Sequence, residues 1–340
     1  MLLEVPVYVV GSGNAARALL SSLALAAQPF SDLAPLQVTH LKRGEPLPRV
    51  TRPALLIIAN PHGLHARFIA EALECGFSSI VCEKPAVVSL EQIEKLRALD
   101  LDGSGAHVAV CHGYRQNWGP QVLRRQIAEG KLGKLITIEG RYWQSSAAAS
   151  ALEKKSVAAD HWKNNPALSG PFDTLLDLGT HWADLAAFLV GKYPTGARGW
   201  LSYANAQAPH RDTHVQLELQ FDGLRSSGSI SKTIHGAGNQ LEVVVVGTEG
   251  LMEWRFERPD ELFHARGKQR MRFFRSSEET VPSLLPPNHA LGWLEGYVSI
   301  LQSSLLRLQG KPAPQVPTLK DSLAIAEVLL KTDFIRQTEA

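Results

Sequence analysis

Three clusters in this sequence combine residue types and spacings that can do chemistry. The apolar run Val5–Val10 leads into Gly11-Ser12-Gly13-Asn14-Ala15-Ala16 and then a segment of helical period. Between a strand and a helix, G-x-G-x-x-A reads as a dinucleotide-binding turn. Gly11 permits the tight turn, Gly13 lets the backbone approach a pyrophosphate, and Ala16 allows close packing. The helix N-terminus, with Ser12, Asn14 and Ala15 around it, supplies amide donors and a favourable dipole. A plain packing turn is the alternative use of the same residues. The second cluster is Glu83-Lys84-Pro85, preceded by Ala59-Asn60-Pro61-His62-Gly63-Leu64-His65. Both stretches follow apolar strands, at the carboxyl edge where open α/β sheets bind ligands. A lysine there can reach a substrate oxygen beside a nicotinamide, whereas a lone lysine is ordinarily a surface charge. The third is Leu175-Leu176-Asp177-Leu178-Gly179-Thr180-His181-Trp182-Ala183-Asp184. Asp177 and His181 stand at i and i+4 on one helix face. A carboxylate that accepts one imidazole N–H leaves the other nitrogen free for proton transfer. A purely structural Asp–His pair is the competing reading.

The end of the second strand bears on which dinucleotide is expected. An acid usually stands there for the ribose 2′-hydroxyl of NAD. Here the chain reads Val38-Thr39-His40-Leu41-Lys42-Arg43, with no acid until Glu45. Two cations suit a 2′-phosphate, which favours NADP over NAD, unless the segment is simply a solvated loop. From Lys42 to Pro53 there are prolines at 46, 48 and 53, so the crossover cannot be helical. The adenosine side of the sheet is therefore expected to be truncated. Neither His62/His65 nor Cys111/His112 offers a complete ligand set, and no metal site is expected.

These clusters need elements to hold them. Strands are expected at Val5–Val10, Gln37–Leu41, Ala54–Ala59, Ser79–Cys82 and His107–Cys111, alternating with helices. The helix after Ser89 carries a capping box with Gln92. Such alternation indicates a doubly wound parallel sheet, a Rossmann domain over 1–117. The remainder, 118–340, reads as an α+β domain with a large, open, mainly antiparallel sheet, and its last helix is placed to pack back on the first domain. Helices are expected near 119–129, 173–190, 290–309 and from Thr318 to about Gln337. A polar loop is expected over Gln144–Ser156, and strands include Val215–Phe221, Leu241–Val246 and Leu251–Phe256. In Lys268–Arg275, basic residues alternate with Gln269, Met271 and Phe273 as on a two-faced, solvated strand.

Composition bounds the function. The 340 residues are 44% hydrophobic and 20% charged, with Lys+Arg 35 against Asp+Glu 33, a balance that gives no support to a nucleic-acid partner. Three cysteines are too few for a disulfide scaffold and suit a reducing compartment. The apolar stretch Ala18–Ala27 imitates a signal-peptide core. It lacks a basic leader and has helical period, so it is read as a domain helix, with a cytoplasmic location and no membrane partner expected.

Taken together, the residues resemble the Gfo/Idh/MocA oxidoreductases, the glucose–fructose oxidoreductase and inositol dehydrogenase group, over nearly the whole chain. The resemblance rests on Gly11–Ala16, Asn60–His65, Glu83-Lys84-Pro85, His112-Gly113-Tyr114-Arg115 and Leu176–Asp184. It implies that hydride passes between a nicotinamide and a carbinol or ketone carbon of a sugar, cyclitol or related polyol. Lys84 would hydrogen-bond the reacting hydroxyl, His181 would act as general acid/base, and Asp177 would orient the substrate or the histidine. Gly11, Ser12, Gly13, Asn14, Ala15, Lys42, Arg43, Asn60, His65, Glu83 and Arg115 would surround the cofactor; Tyr114, Trp162 and Asn165 would face the substrate. A homodimer or homotetramer through the C-terminal sheet is also implied. The chain departs from the family pattern at Lys42-Arg43, in the missing crossover helix, and at Ser169-Gly170-Pro171-Phe172-Asp173-Thr174, where a glycine-rich segment is usual. Two other functions stay open on the same residues: a non-catalytic nucleotide- and sugar-binding regulator, and an NAD-dependent glycosidase.

Overall fold

The structure is a computed structural model, and it describes residues 5–28, 35–99, 105–153, 161–203, 211–276 and 286–338. The chain divides into two compact units. The first comprises Met1–Gln116, Ala167–Ser169 and Trp293–Leu323; the second comprises Asn117–Pro166, Gly170–Gly292 and Ala324–Ala340.

In the first unit, β1 (Val5–Val10), β2 (Leu36–Leu41), β3 (Leu55–Ile58), β4 (Ser79–Cys82) and β5 (His107–Val110) form a parallel sheet in the order β2-β1-β3-β4-β5. β3 and β4 are buried throughout, as continuous apolar runs covered on both faces must be. The order reverses at β1, so the open crevice lies between the ends of β1 and β3. Three helices follow from local signals: α1 (Asn14–Ala27), α2 (His65–Glu74) and α3 (Leu90–Arg97). The signal-like stretch lies in α1, whose Ala16, Leu19, Leu23 and Ala26 are buried. Ser89 caps α3 by accepting the Gln92 N–H at 3.3 Å, while the Gln92 side chain accepts from Val88 N–H at 2.8 Å.

The β2–β3 connection has no helix, as its prolines require. It runs beside the end of α2, where Val50 N–H donates to the Cys75 carbonyl at 2.9 Å and Arg49 to that of Glu74 at 3.2 Å. The helix Leu294–Leu308 packs on α1, and its Gly296 lies against Gly113 so closely that a Cβ there would meet the Gly113 Cα at 2.5 Å. This helix and the start of the last one, where Asp321 pairs with Arg115 at 2.7 Å, both belong to the first unit.

The second unit holds β6 (Leu135–Gln144), β7 (Gly196–Tyr203), β8 (His214–Phe221), β9 (Leu224–Ser231), β10 (Asn239–Gly247), β11 (Leu251–Arg255), β12 (Arg258–Arg266), β13 (Gln269–Phe274) and β14 (Ile335–Thr338). Their order is β13-β12-β11-β10-β6-β9-β8-β7-β14; neighbours are antiparallel except β6/β9 and β7/β14. Burial alternates along β8 and β10, so one face is covered. On that covered face lie α4 (Trp118–Ala128) and, beyond α5 (Ser146–Leu152), α6 (Thr180–Val190). Trp182 on α6 is wholly buried in a slot made by Gly140 and Gly228, partners across β6 and β9. A Cβ at either glycine would come within 2.5 Å of the indole. That slot fixes α6, and with it the adjacent His181.

Three expectations change. Gln144–Ser156 is not one loop: β6 runs to Gln144 and the alanine-rich stretch forms α5, as good helix formers do, while Lys154–Ser156 lie outside the described residues. The 290–309 helix begins only at Leu294. The last helix ends at Lys331, not near Gln337, because Thr332 turns its hydroxyl back to the Val328 carbonyl at 2.7 Å and Phe334 buries beside Phe172. The freed residues become β14. The solvated strand expected within Lys268–Arg275 is β13, exposed throughout.

Candidate active site

In the first unit, the turn after β1 is built by Gly11 at φ 115°, where a Cβ would meet the Ala59 carbonyl oxygen at 2.3 Å. Only glycine fits there, since both the backbone conformation and the space exclude a side chain. Gly13, in contrast, faces open space and caps α1 with no side-chain acceptor and no acid in the first turn. Ser12, Gly13 and Asn14 are exposed, Ala15 is half-buried, and Arg17 donates to the Ser12 carbonyl at 3.2 Å and to the Asn14 side chain. The uncapped amides and the nearby guanidinium make this turn favourable to an anion.

At the end of β3, the Asn60 side-chain oxygen is buried with no hydrogen-bond partner in the protein. Open space before Gly13 and an unsatisfied acceptor at Asn60 are what a dinucleotide would complete. His65 is wholly buried, with Nδ1 2.8 Å from the Pro85 carbonyl and Nε2 2.8 Å from that of Asn60. Burial lowers its pKa, with Lys84 contributing less. A neutral ring donates to only one of these carbonyls. His65 thus ties the Asn60 and Pro85 loops together from behind.

Glu83 is buried, and its two oxygens accept from Lys84 N–H at 3.2 Å and from the Tyr297 hydroxyl. The Tyr297 hydroxyl is pushed up by burial and then by Glu83. Lys84, half-buried, precedes a cis proline. Arg115 is paired with Asp321 at 2.7 Å, and Tyr114 beside it is buried. At the end of β2, Lys42 and Arg43 are exposed, and the Lys42 N–H donates to the Glu45 carboxylate at 2.8 Å.

In the second unit, Asp177 lies in a π-helical turn, Leu175–Gly179, continuous with α6, and His181 follows in the first turn of α6. Such turns are rare and concentrate at functional sites. The His181 ring meets Tyr142 of β6 edge-on at 6.0 Å, and the Tyr142 hydroxyl donates to Asn239 at 3.0 Å. Asp177 has partners that the i, i+4 pattern does not suggest. Its Oδ2 accepts from Lys232 Nζ at 2.7 Å and lies 3.5 Å from Lys163 Nζ. Lys232 also donates to Asp173 at 2.8 Å, and Arg211 pairs with the same Asp173 oxygen at 2.5 Å.

Burial would lower the Lys232 pKa, yet Asp177 and Asp173 raise it, so the ammonium is permanent. Burial opposes ionisation of Asp173, but Lys232 and Arg211 keep its carboxyl below the usual range. Asp212 accepts from Asp173 N–H at 2.5 Å and from Leu175 N–H at 2.8 Å, capping the start of the turn. Its burial nevertheless pushes it up to about 6. Trp162 stacks on His161 at 5.8 Å and lies under Lys163, while Asn165 is exposed.

Sequence reading reached Lys84, Asp177 and His181 but missed Lys232, Arg211 and Asp212. The last two adjoin a loop without periodicity, and Lys232 follows a strand end where a lysine is usually solvated. Only Asp173 carried a signal, as a carboxylate in place of glycine. Among the described residues, no three His, Cys, Asp or Glu side chains form a metal-holding group, and no helix is long and apolar enough to cross a membrane.

The family model described as "Oxidoreductase family, NAD-binding Rossmann fold" matches residues 7–100, and the GFO/IDH/MocA C-terminal domain model matches 121–253. A levoglucosan dehydrogenase of Pseudarthrobacter phenanthrenivorans is 27% identical over 227 residues, 60% of this chain and 56% of that protein. The uncharacterized oxidoreductase YfiI of Bacillus subtilis is 28% identical over 208 residues, 60% of this chain and 52% of its own. The aligned segments thus span little more than half the length of these relatives. Among solved structures, a levoglucosan dehydrogenase complexed with NADH and levoglucosan superposes with TM-score 0.79 at 21% identity, covering 96% of this chain and 95% of the other. An inositol dehydrogenase homolog complexed with NAD+ from Azotobacter vinelandii superposes with TM-score 0.80 at 19% identity, covering 95% and 93%. With both domain models matched in order and the fold shared end to end, the chain belongs to the Gfo/Idh/MocA family of oxidoreductases.

Proposed function

We propose that the protein is a nicotinamide-dependent dehydrogenase acting on a CH–OH carbon of a sugar, anhydrosugar or cyclitol. The observation that carries this reading is the Asp177–His181 turn, with its carboxylate pinned by a buried ammonium, on a chain that also carries Lys84 after β4. Gly11, Ser12, Gly13, Asn14, Ala15 and Asn60 would hold the dinucleotide. When bound, its nicotinamide ring supplies the hydride acceptor or donor. His181 takes the hydroxyl proton in oxidation and returns it in reduction, and the Lys84 ammonium steadies the charge on the reacting oxygen. A positioned acid/base contributes about 10²–10⁴-fold to such a step. Tyr114, Trp162 and Asn165 are assigned to the substrate, Glu83 and Arg115 to ordering the cofactor edge.

Glu45 bears on the choice of dinucleotide. Lys42 and Arg43 offer cations for a 2′-phosphate, but the carboxylate of Glu45 turns back to the end of β2, where it can accept a ribose hydroxyl and repel a phosphate. NADH is therefore expected to bind more tightly than NADPH. Glu45→Gln should narrow the difference by about tenfold, measured by fluorescence titration. The three thiols are free, Cys82 and Cys111 buried, which fits a cytoplasmic location, and the exposed Ile136 and Trp200 of the open sheet suit a homo-oligomeric contact.

The test is a panel of sugars, anhydrosugars, cyclitols and their ketones, with NAD+, NADP+ and the reduced forms, read by nicotinamide absorbance. Turnover with at least one polyol is the expected result. Tight NADH binding with no turnover across the panel would favour the regulator.

A further inference from the structure

We propose that Lys232 is a positioning residue that sets the protonation of His181 through Asp177. This rests on the reading of His181 as the acid/base. Lys232 follows β9, and its backbone is fixed on both sides: its N–H donates to the Thr213 carbonyl at 3.0 Å and its carbonyl accepts from Ala147 N–H at 2.9 Å. The side chain is 8% exposed, and Nζ bridges Asp173 and Asp177 at 2.8 and 2.7 Å. Lys163 reaches the same Asp177 oxygen only at 3.5 Å and is 34% exposed, so Lys232 dominates.

A carboxylate one turn before a histidine stabilises the imidazolium and so raises the histidine pKa. Two uncompensated carboxylates at Asp173 and Asp177 would favour the charged imidazole of His181 over the neutral form that accepts a proton. The Lys232 ammonium cancels that field while holding Asp177 ionised and fixed in direction.

The groups around the site are placed as this balance requires. Asp177 comes from the π turn and Asp173 from the segment before it. Asp212, carried just before β8, is neutral for part of the pH range, and Arg211 beside it is spent on Asp173. Lys163 approaches from the 162–164 turn, and Tyr142 of β6 presents a ring rather than a charge to His181. Asp184, buried at i+3 on α6, is common to every variant below. Lys232 is thus the buried cation shared by both carboxylates.

The test is the imidazole titration of His181 in the free protein, followed by NMR with histidine-selective labelling and assigned by the signal lost in His181→Gln. Lys232→Met is expected to raise the His181 pKa by about one unit. Lys232→Arg should restore it, and Asp173→Asn, which leaves Lys232 wholly to Asp177, should lower it. The opposite sign in Asp173→Asn keeps the test decisive if Lys232→Met does not fold. An unmoved His181 titration in the folded variants overturns the proposal. Should the titration shift as stated while His181→Gln retains full turnover, the electrostatic role stands and the acid/base assignment falls.

Discussion

Asp212 places a carboxylate where two main-chain amides, those of Asp173 and Leu175, need an acceptor, in a position without solvent exposure. Burial outweighs these hydrogen bonds and moves its pKa from 3.8 to about 6. The folded state therefore holds this proton longer than the unfolded chain does. Its contribution to stability is full below about pH 4 and is lost as pH rises through about 6, a cost of about 3 kcal/mol. Asp173 has the opposite sign: its lowered pKa gives stability above the ordinary carboxylate range that is lost on acidification. Asp212→Asn should accordingly remove a decline in thermal stability between pH 4 and about 6, which melting curves of the two proteins across that range would reveal. Parallel curves would contradict the assignment.

The elements around the site depend on contacts that a one-dimensional pattern carries only in part. The capping box at Ser89/Gln92 and the G-x-G-x-x-A turn were legible because each is a local device with fixed spacing. The slot for Trp182 was not, because Gly140 and Gly228 are 88 residues apart and meet only across the β6/β9 register. Nor was the π turn, since its residues fit an ordinary helix equally well. The end of the last helix was misplaced because the burial of Phe334 and the pairing of β14 with β7 are tertiary effects that override helical period. Filling the slot should be costly. Gly228→Ala is expected to destabilise by about 1–3 kcal/mol through overpacking and to disturb α6, with turnover falling more than NADH affinity. An unchanged melting temperature would show that the indole can yield.

At the scale of the whole molecule, the chain lays its chemistry on two units. The first is not continuous in sequence: the helix Leu294–Leu308 returns to α1 and to the turn holding Gly113, on a sheet whose β2–β3 crossover has no helix of its own. Lys84 belongs to this unit, while Asp177, His181 and the buried ammonium of Lys232 belong to the second. The succession of strands and helices, the strand-end motifs and the antiparallel character of the large sheet could all be read from period and punctuation. The charge network could not, because its members come from four separate segments.

Whether Lys84 and His181 perform proton and charge chemistry for hydride transfer is decided by Lys84→Ala and His181→Ala. Each would be assayed for turnover on the best substrate of the panel and for NADH binding by fluorescence. Turnover is expected to fall at least about 100-fold in each, with NADH affinity within about threefold of the parent. Near-parental turnover in both variants would contradict the account.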